Sequence, residues 1–164
     1  MWDEEGETRE GVFIQRRDTN SSLNYLAGGR IFPGEHHQAE FAVAESASEI
    51  KLEMESKDGQ VKVNISGEVD SRLPSSSIFS SLDDASHFFK TGSVGFSVTS
   101  DPSRLDGLKL QTNAWKVEPL RVADVYSSYF SDELKFPKDK IAFDHALLMR
   151  NVEHEWHSVD DLYI

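Results

Sequence analysis

Cysteine is absent from this chain of 164 residues. That excludes a disulfide framework, a thiolate zinc site and a cysteine nucleophile. It also fits a reducing compartment, so a cytoplasmic protein is expected. Basic residues are scarce: 17 Lys and Arg face 29 Asp and Glu, for a formal net charge of −12. A surface of that sign repels phosphate backbones and anionic membranes. Arg16-Arg17 is the only adjacent basic pair, so no nucleic acid partner is expected. No apolar run approaches the roughly 18 residues of a membrane helix. Met1-Trp2-Asp3-Glu4-Glu5 lacks the basic, then apolar, order of a secretory signal. No membrane association is therefore expected, and the sequons at Asn20 and Asn64 read as chance matches. No cofactor is expected.

The chain length suits one domain with a core of its own. Met1 to Glu10 is polar and acidic and reads as a flexible leader, leaving 11–164 as a single domain. Val12-Phe13-Ile14 reads as a strand. Asp18 to Ser22 is a turn leading into a short helical segment, Leu23 to Ala27, stopped by Gly28-Gly29. Three segments, 36–45, 49–56 and 60–70, alternate apolar and polar residues with a period of two, and Asp58-Gly59 marks a hairpin turn between the last two. Such alternation means one buried and one wet face, as in antiparallel sheets. Ser81-Leu82-Asp83-Asp84 resembles a capping box and opens a helix over Leu82–Lys90, with Ala85, Phe88 and Phe89 on its apolar face. Strands are expected again at 94–98, 108–112 and 115–125, with a turn at Asp106-Gly107 and an edge or bulge at Pro119. A buried strand is expected over 141–152, where His145 to Met149 is also compatible with a helix, and the tail from His154 to Ile164 carries no clear pattern. Many strands and one main helix at about 82–90 make a mainly β (α+β) fold, a curved antiparallel sheet or barrel.

Two blocks carry a resemblance. The first is Gly11-Val12-Phe13-Ile14-Gln15-Arg16-Arg17-Asp18, then Ala27-Gly28-Gly29-Arg30-Ile31-Phe32-Pro33-Gly34 and His36-His37-Gln38-Ala39. The second is Ser81-Leu82, Phe88-Phe89-Lys90-Thr91-Gly92-Ser93 and Trp115-Lys116-Val117-Glu118-Pro119-Leu120. Together they resemble the YqjF-like uncharacterised proteins, of unknown function, over roughly residues 11–130. That family is grouped with the acetoacetate-decarboxylase-like superfamily, so the resemblance implies a β-barrel with an internal cavity. Family members carry several tens of residues before the Gly-Val-Phe block, where this chain has only its acidic leader. It either represents part of a longer member or closes a barrel with fewer strands. The decarboxylases place their Schiff-base lysine in a Lys-Lys pair, which this chain lacks, so lysine-dependent decarboxylation is not expected.

The residues offer four places for chemistry. Lys90 beside Phe88 and Phe89 is a candidate amine nucleophile, because such a lysine needs an apolar pocket; the plainer role is a charge complementing a helix C-terminus. His154-Glu155-Trp156-His157 would put two histidines on one face of a helix, with His145 completing a metal site; on a strand the two point apart and no metal site results. His36 and His37, with Arg30, are candidates for holding a carboxylate, although adjacent strand residues face opposite ways. Glu118 and Arg121 become a catalytic or binding pair if a bulge at Pro119 brings them to one side; otherwise they are a surface charge pair. Trp115 is a candidate cavity wall. Three functions follow: a small-molecule binding module for a carboxylate, a lyase or hydrolase acting on such a molecule, or a structural and interaction domain. Oligomeric state is not legible.

Overall fold

The computed structural model describes residues 2–4, 7–28 and 32–163. Among the described residues it is mainly β, with few helices, and it holds a strongly curled half-barrel sheet. The chain divides into two compact units, residues 1–37, 86–115 and 151–164 in the first and residues 38–85 and 116–150 in the second. No described helix is long and apolar enough to cross a membrane.

In the first unit, β1 (Trp2–Glu4) pairs with β2 (Glu7–Arg9). β3 (Val12–Ile14) runs parallel to β8 (Val94–Val98), which pairs antiparallel with β9 (Arg104–Thr112), and β9 with β12 (His154–Tyr163). Between β3 and the next unit lie the two-residue β4 (Asp18–Thr19) and helix α1 (Ser22–Ala27). The Ser21 hydroxyl caps α1 by accepting the Asn24 amide at 3.2 Å. Phe96, Leu105 and Leu108 are buried around this sheet. Three expectations change here. The unassigned tail is a ten-residue strand. Asp106-Gly107 is no turn but the middle of β9, opposite an irregularity in β12 between Val159 and Leu162. Gly107 fits there because a Cβ would stand 2.4 Å from the Asp160 carbonyl oxygen, so the glycine marks a bulge crossing rather than a chain reversal. Trp115 precedes its expected strand instead of opening it.

In the second unit, β5 (His37–Glu45), β6 (Glu49–Ser56) and β7 (Lys62–Val69) form the consecutive antiparallel ladder that the alternation demands. β10 (Glu118–Ser127) adds to β7, and β11 (Ala146–Leu148) to β10. Cross-strand rows such as Val43–Leu52–Ile65–Val125 line up on one face. Within 141–152 only Ala146–Leu148 is strand, and those residues are half-buried. The bulge of β10 falls between Val122 and Asp124, after Pro119 rather than at it.

Helix α2 (Leu82–Thr91) starts as its capping residues dictate, the Ser81 hydroxyl accepting the Asp84 amide at 3.1 Å. Burial departs from expectation. Ala85 is fully buried, whereas Phe88 and Phe89 are 60% and 46% exposed and stack edge to face at 5.3 Å. Of the helix, the buried residue is its small alanine, at the end of the first turn.

Candidate functional site

A cleft of about 610 Å³ lies wholly within the first unit. The volume falls in the range of small-molecule sites, about 300–1,000 Å³. Arg17 sits just past the end of β3, whose register against β8 sets Ile14 beside Ser97. There the Arg17 Nε donates to the Ser97 hydroxyl at 2.7 Å, and its guanidinium carbon lies 5.8 Å from the Trp156 ring centre. Trp156 and Ser158, two residues apart on β12, share a face and meet Leu110 and Leu108 of β9. Asn24 of α1, Phe32, Pro33 and His36 complete the wall.

The turn at Pro33-Gly34 ties this wall to the sheet. Gly34 has φ +77, and its amide donates to the buried Asp106 carboxylate at 2.8 Å. Its carbonyl faces His36 Nδ1 at 3.1 Å. A carbonyl only accepts, so the proton of neutral His36 belongs on Nδ1 and Nε2 is left as an acceptor. Burial, more than any other cause, lowers the His36 pKa from its usual value, with Arg17 and His37 adding repulsion while the bond to Gly34 works against the shift.

Asp18 lines the cleft, but Arg16 grips both its oxygens, at 2.9 and 2.9 Å. Asp106 lies near Arg17 and pairs at 3.3 Å with Arg104, which also reaches Asp161 at 3.9 Å. Arg17 itself has no ion pair among the described residues. Its Nη2 is buried with no hydrogen-bond partner. Burial pulls its pKa down, and Asp106 offsets part of that.

Of the residues read from sequence, His36 lines this cleft and His157 borders it between Trp156 and Ser158. Arg30 lies outside the described residues. His37 is half-buried at the first position of β5, its amide donating to the Arg17 carbonyl at 2.8 Å. Trp115 is half-buried, its indole donating to Ser86 at 2.9 Å. His154 and His157 stand on β12, not on a helix, so they alternate in direction. His145 belongs to the second unit, where it bonds Asp144 at 2.5 Å. Among the described residues, no group of three or more potential ligands is placed to hold a metal ion. Glu118 and Arg121 also belong to the second unit. The register is unbroken between them, so three residues' separation turns them to opposite faces. Arg121 pairs instead with its cross-strand neighbour Glu68 at the surface. Lys90 is exposed near the end of α2. Sequence reasoning missed Arg17, Asn24 and Trp156; the only signal was the Arg16-Arg17 doublet followed by Asp18, one basic residue more than the acid can match.

Compared with known proteins, the chain matches no protein-family model, no curated protein and no solved structure.

Proposed function

We propose that this protein is a small-molecule-binding β domain of the acetoacetate-decarboxylase-like type, holding a small carboxylate in the Arg17 cleft. The observation that carries the reading is a cleft-lining guanidinium, that of Arg17, without an ion pair among the described residues. Arg16 holds Asp18, Arg104 is shared between Asp106 and Asp161, and Arg17 lines the cleft with no ion pair among the described residues and with a buried N–H that has no partner. Leaving such a donor unmet costs about 1–3 kcal/mol, more for a charged group. Trp156, Phe32 and Leu108 offer apolar walls to the rest of the molecule, and Asn24 and the bare His36 Nε2 supply polar contacts that fix its orientation. The YqjF-like resemblance and the curled half-barrel sheet support this reading. Lysine chemistry is no part of it, because exposed Lys90 has no pocket to discharge it. The net charge of −12 speaks against nucleic acid as the ligand and the lack of cysteine for a cytoplasmic setting.

Calorimetric titration with benzoate and acetoacetate tests the proposal. Arg17→Met keeps the apolar stem and removes the charge. A charge-assisted hydrogen bond is worth about 1.5–3 kcal/mol, so the variant should bind roughly 10- to 150-fold more weakly. Equal affinity in the variant, or no saturable binding of either acid to the natural chain, would refute the assignment.

A further inference from the structure

The surroundings of His36 hold it as a hydrogen-bond acceptor. Its ring is half-buried in the wall of the Arg17 cleft. Nδ1 stands 3.1 Å from the Gly34 carbonyl oxygen, an atom that accepts and never donates. The turn that carries this carbonyl is pinned. The Gly34 amide bonds Asp106 at 2.8 Å, and a Cβ on Gly34 would stand 2.5 Å from Ser97 Cβ. Gly28 closes on the same place, since a Cβ there would stand 2.6 Å from Nδ1 and 3.0 Å from the Gly34 carbonyl oxygen. Nδ1 therefore carries the proton of the neutral ring, and Nε2 carries a lone pair. Nε2 makes no hydrogen bond among the described residues. Burial, ahead of repulsion from Arg17 and His37, favours the neutral ring.

A lone pair in that place selects what can lie against it. Arg17 offers only N–H groups and so suits a carboxylate. Both residues abut Gly34, because the Cβ position there is 3.3 Å from Arg17 Nε while the carbonyl meets His36; one small molecule can touch both. A hydroxyl on that molecule has a proton to give to Nε2. A ketone has only lone pairs, and two acceptors set face to face leave both unsatisfied. An ammonium would donate as well, but the Arg17 charge already disfavours a cation at His36 itself, so the matching donor is uncharged.

We infer that His36 sets the specificity of the cleft and that its ligand is a hydroxy acid, with the carboxylate on Arg17 and the hydroxyl donating to His36 Nε2. This rests on the reading of the cleft as a carboxylate site. Calorimetry in mildly alkaline buffer, where imidazole is neutral, compares matched pairs: each enantiomer of mandelate against phenylglyoxylate, and of 3-hydroxybutyrate against acetoacetate. Within a pair only hydroxyl and ketone differ, and the two pairs place that group at different distances from the carboxylate. In at least one pair a hydroxy acid should bind roughly 3- to 10-fold more tightly. His36→Asn keeps an amide N–H that can serve the Gly34 carbonyl and removes Nε2. It should erase the preference and leave the affinity for benzoate, which has no hydroxyl, unchanged. A long-range proton–nitrogen NMR spectrum of the natural chain gives a readout that needs no variant. It should show His36 protonated on Nδ1, with the Nε2 signal shifting when the preferred hydroxy acid binds. Benzoate binding with no hydroxy preference in either pair, a preference that survives in His36→Asn, or a ring protonated on Nε2 would overturn this inference and leave the carboxylate site standing. No saturable binding of any of these acids would overturn both.

Discussion

Replacing Gly34 by alanine should be among the most damaging single changes in the first unit. Its φ of +77 is in the left-handed region, which costs a non-glycine residue about 1–2 kcal/mol. The new methyl would then stand 2.5 Å from Ser97 Cβ, 3.0 Å from its hydroxyl and 3.3 Å from Arg17 Nε. Ser97 is 1% exposed and held between β3 and β9, so it has nowhere to swing; overpacking of this kind costs about 1–3 kcal/mol. Any retreat of the turn also lengthens the amide bond to buried Asp106, now 2.8 Å. Allowing for overlap between these terms, the loss should be about 3–5 kcal/mol. Gly59 supplies the control. It has φ +70, and a Cβ added there would meet nothing within 4 Å, so Gly59→Ala should cost only the backbone portion, about 1–2 kcal/mol. Urea unfolding of the two variants compares them directly. Equal losses would mean that the Pro33-Gly34 turn is not wedged against Ser97, and the account of how Arg17 is held would fall with it.

Ser81→Ala removes the hydroxyl that caps α2 and should lower stability by about 1 kcal/mol in the same assay. Phe88→Ala should cost under about 1 kcal/mol, because the ring is 60% exposed; a loss of about 3–5 kcal/mol would show that it packs as core after all. His36 predicts a pH dependence. Its folded pKa lies below the usual 6.5, so the unfolded chain binds the proton more readily. Stability should be indifferent to this group above about pH 6.5 and fall as the pH drops from there toward the lowered value. His36→Gln should flatten that part of the curve, and an unchanged slope would show that His36 is not its source.

The strands of the second unit were legible because their pairing is local. Alternation in 36–45, 49–56 and 60–70 dictates which side faces inward, and Asp58-Gly59 dictates where the chain turns back, so register follows from neighbours in sequence. Ser81 and Asp84 placed the start of α2 for the same reason. The 154–163 strand could not be read, because its partner, β9, lies some 50 residues earlier and its exposed charged sequence has little pattern of its own. Gly107 misled for a related cause: Asp-Gly reads as a turn until a bulge in a distant strand shows why a side chain would not fit.

The cleft depends still more on distance along the chain. Sequence alone determined that the protein is mainly β, acidic and without cysteine chemistry, because composition and period-two alternation are local properties. It also pointed to a histidine near the Pro33-Gly34 turn as a candidate for a carboxylate. Tertiary structure decided which arginine that histidine joins. Arg16 and Arg17 are identical in composition and adjacent in sequence, yet one closes on Asp18 two residues away while the other reaches Ser97, 80 residues on. Which of them is left without an ion pair depends on where the carboxylates lie in space, and strands far apart in the sequence settle that.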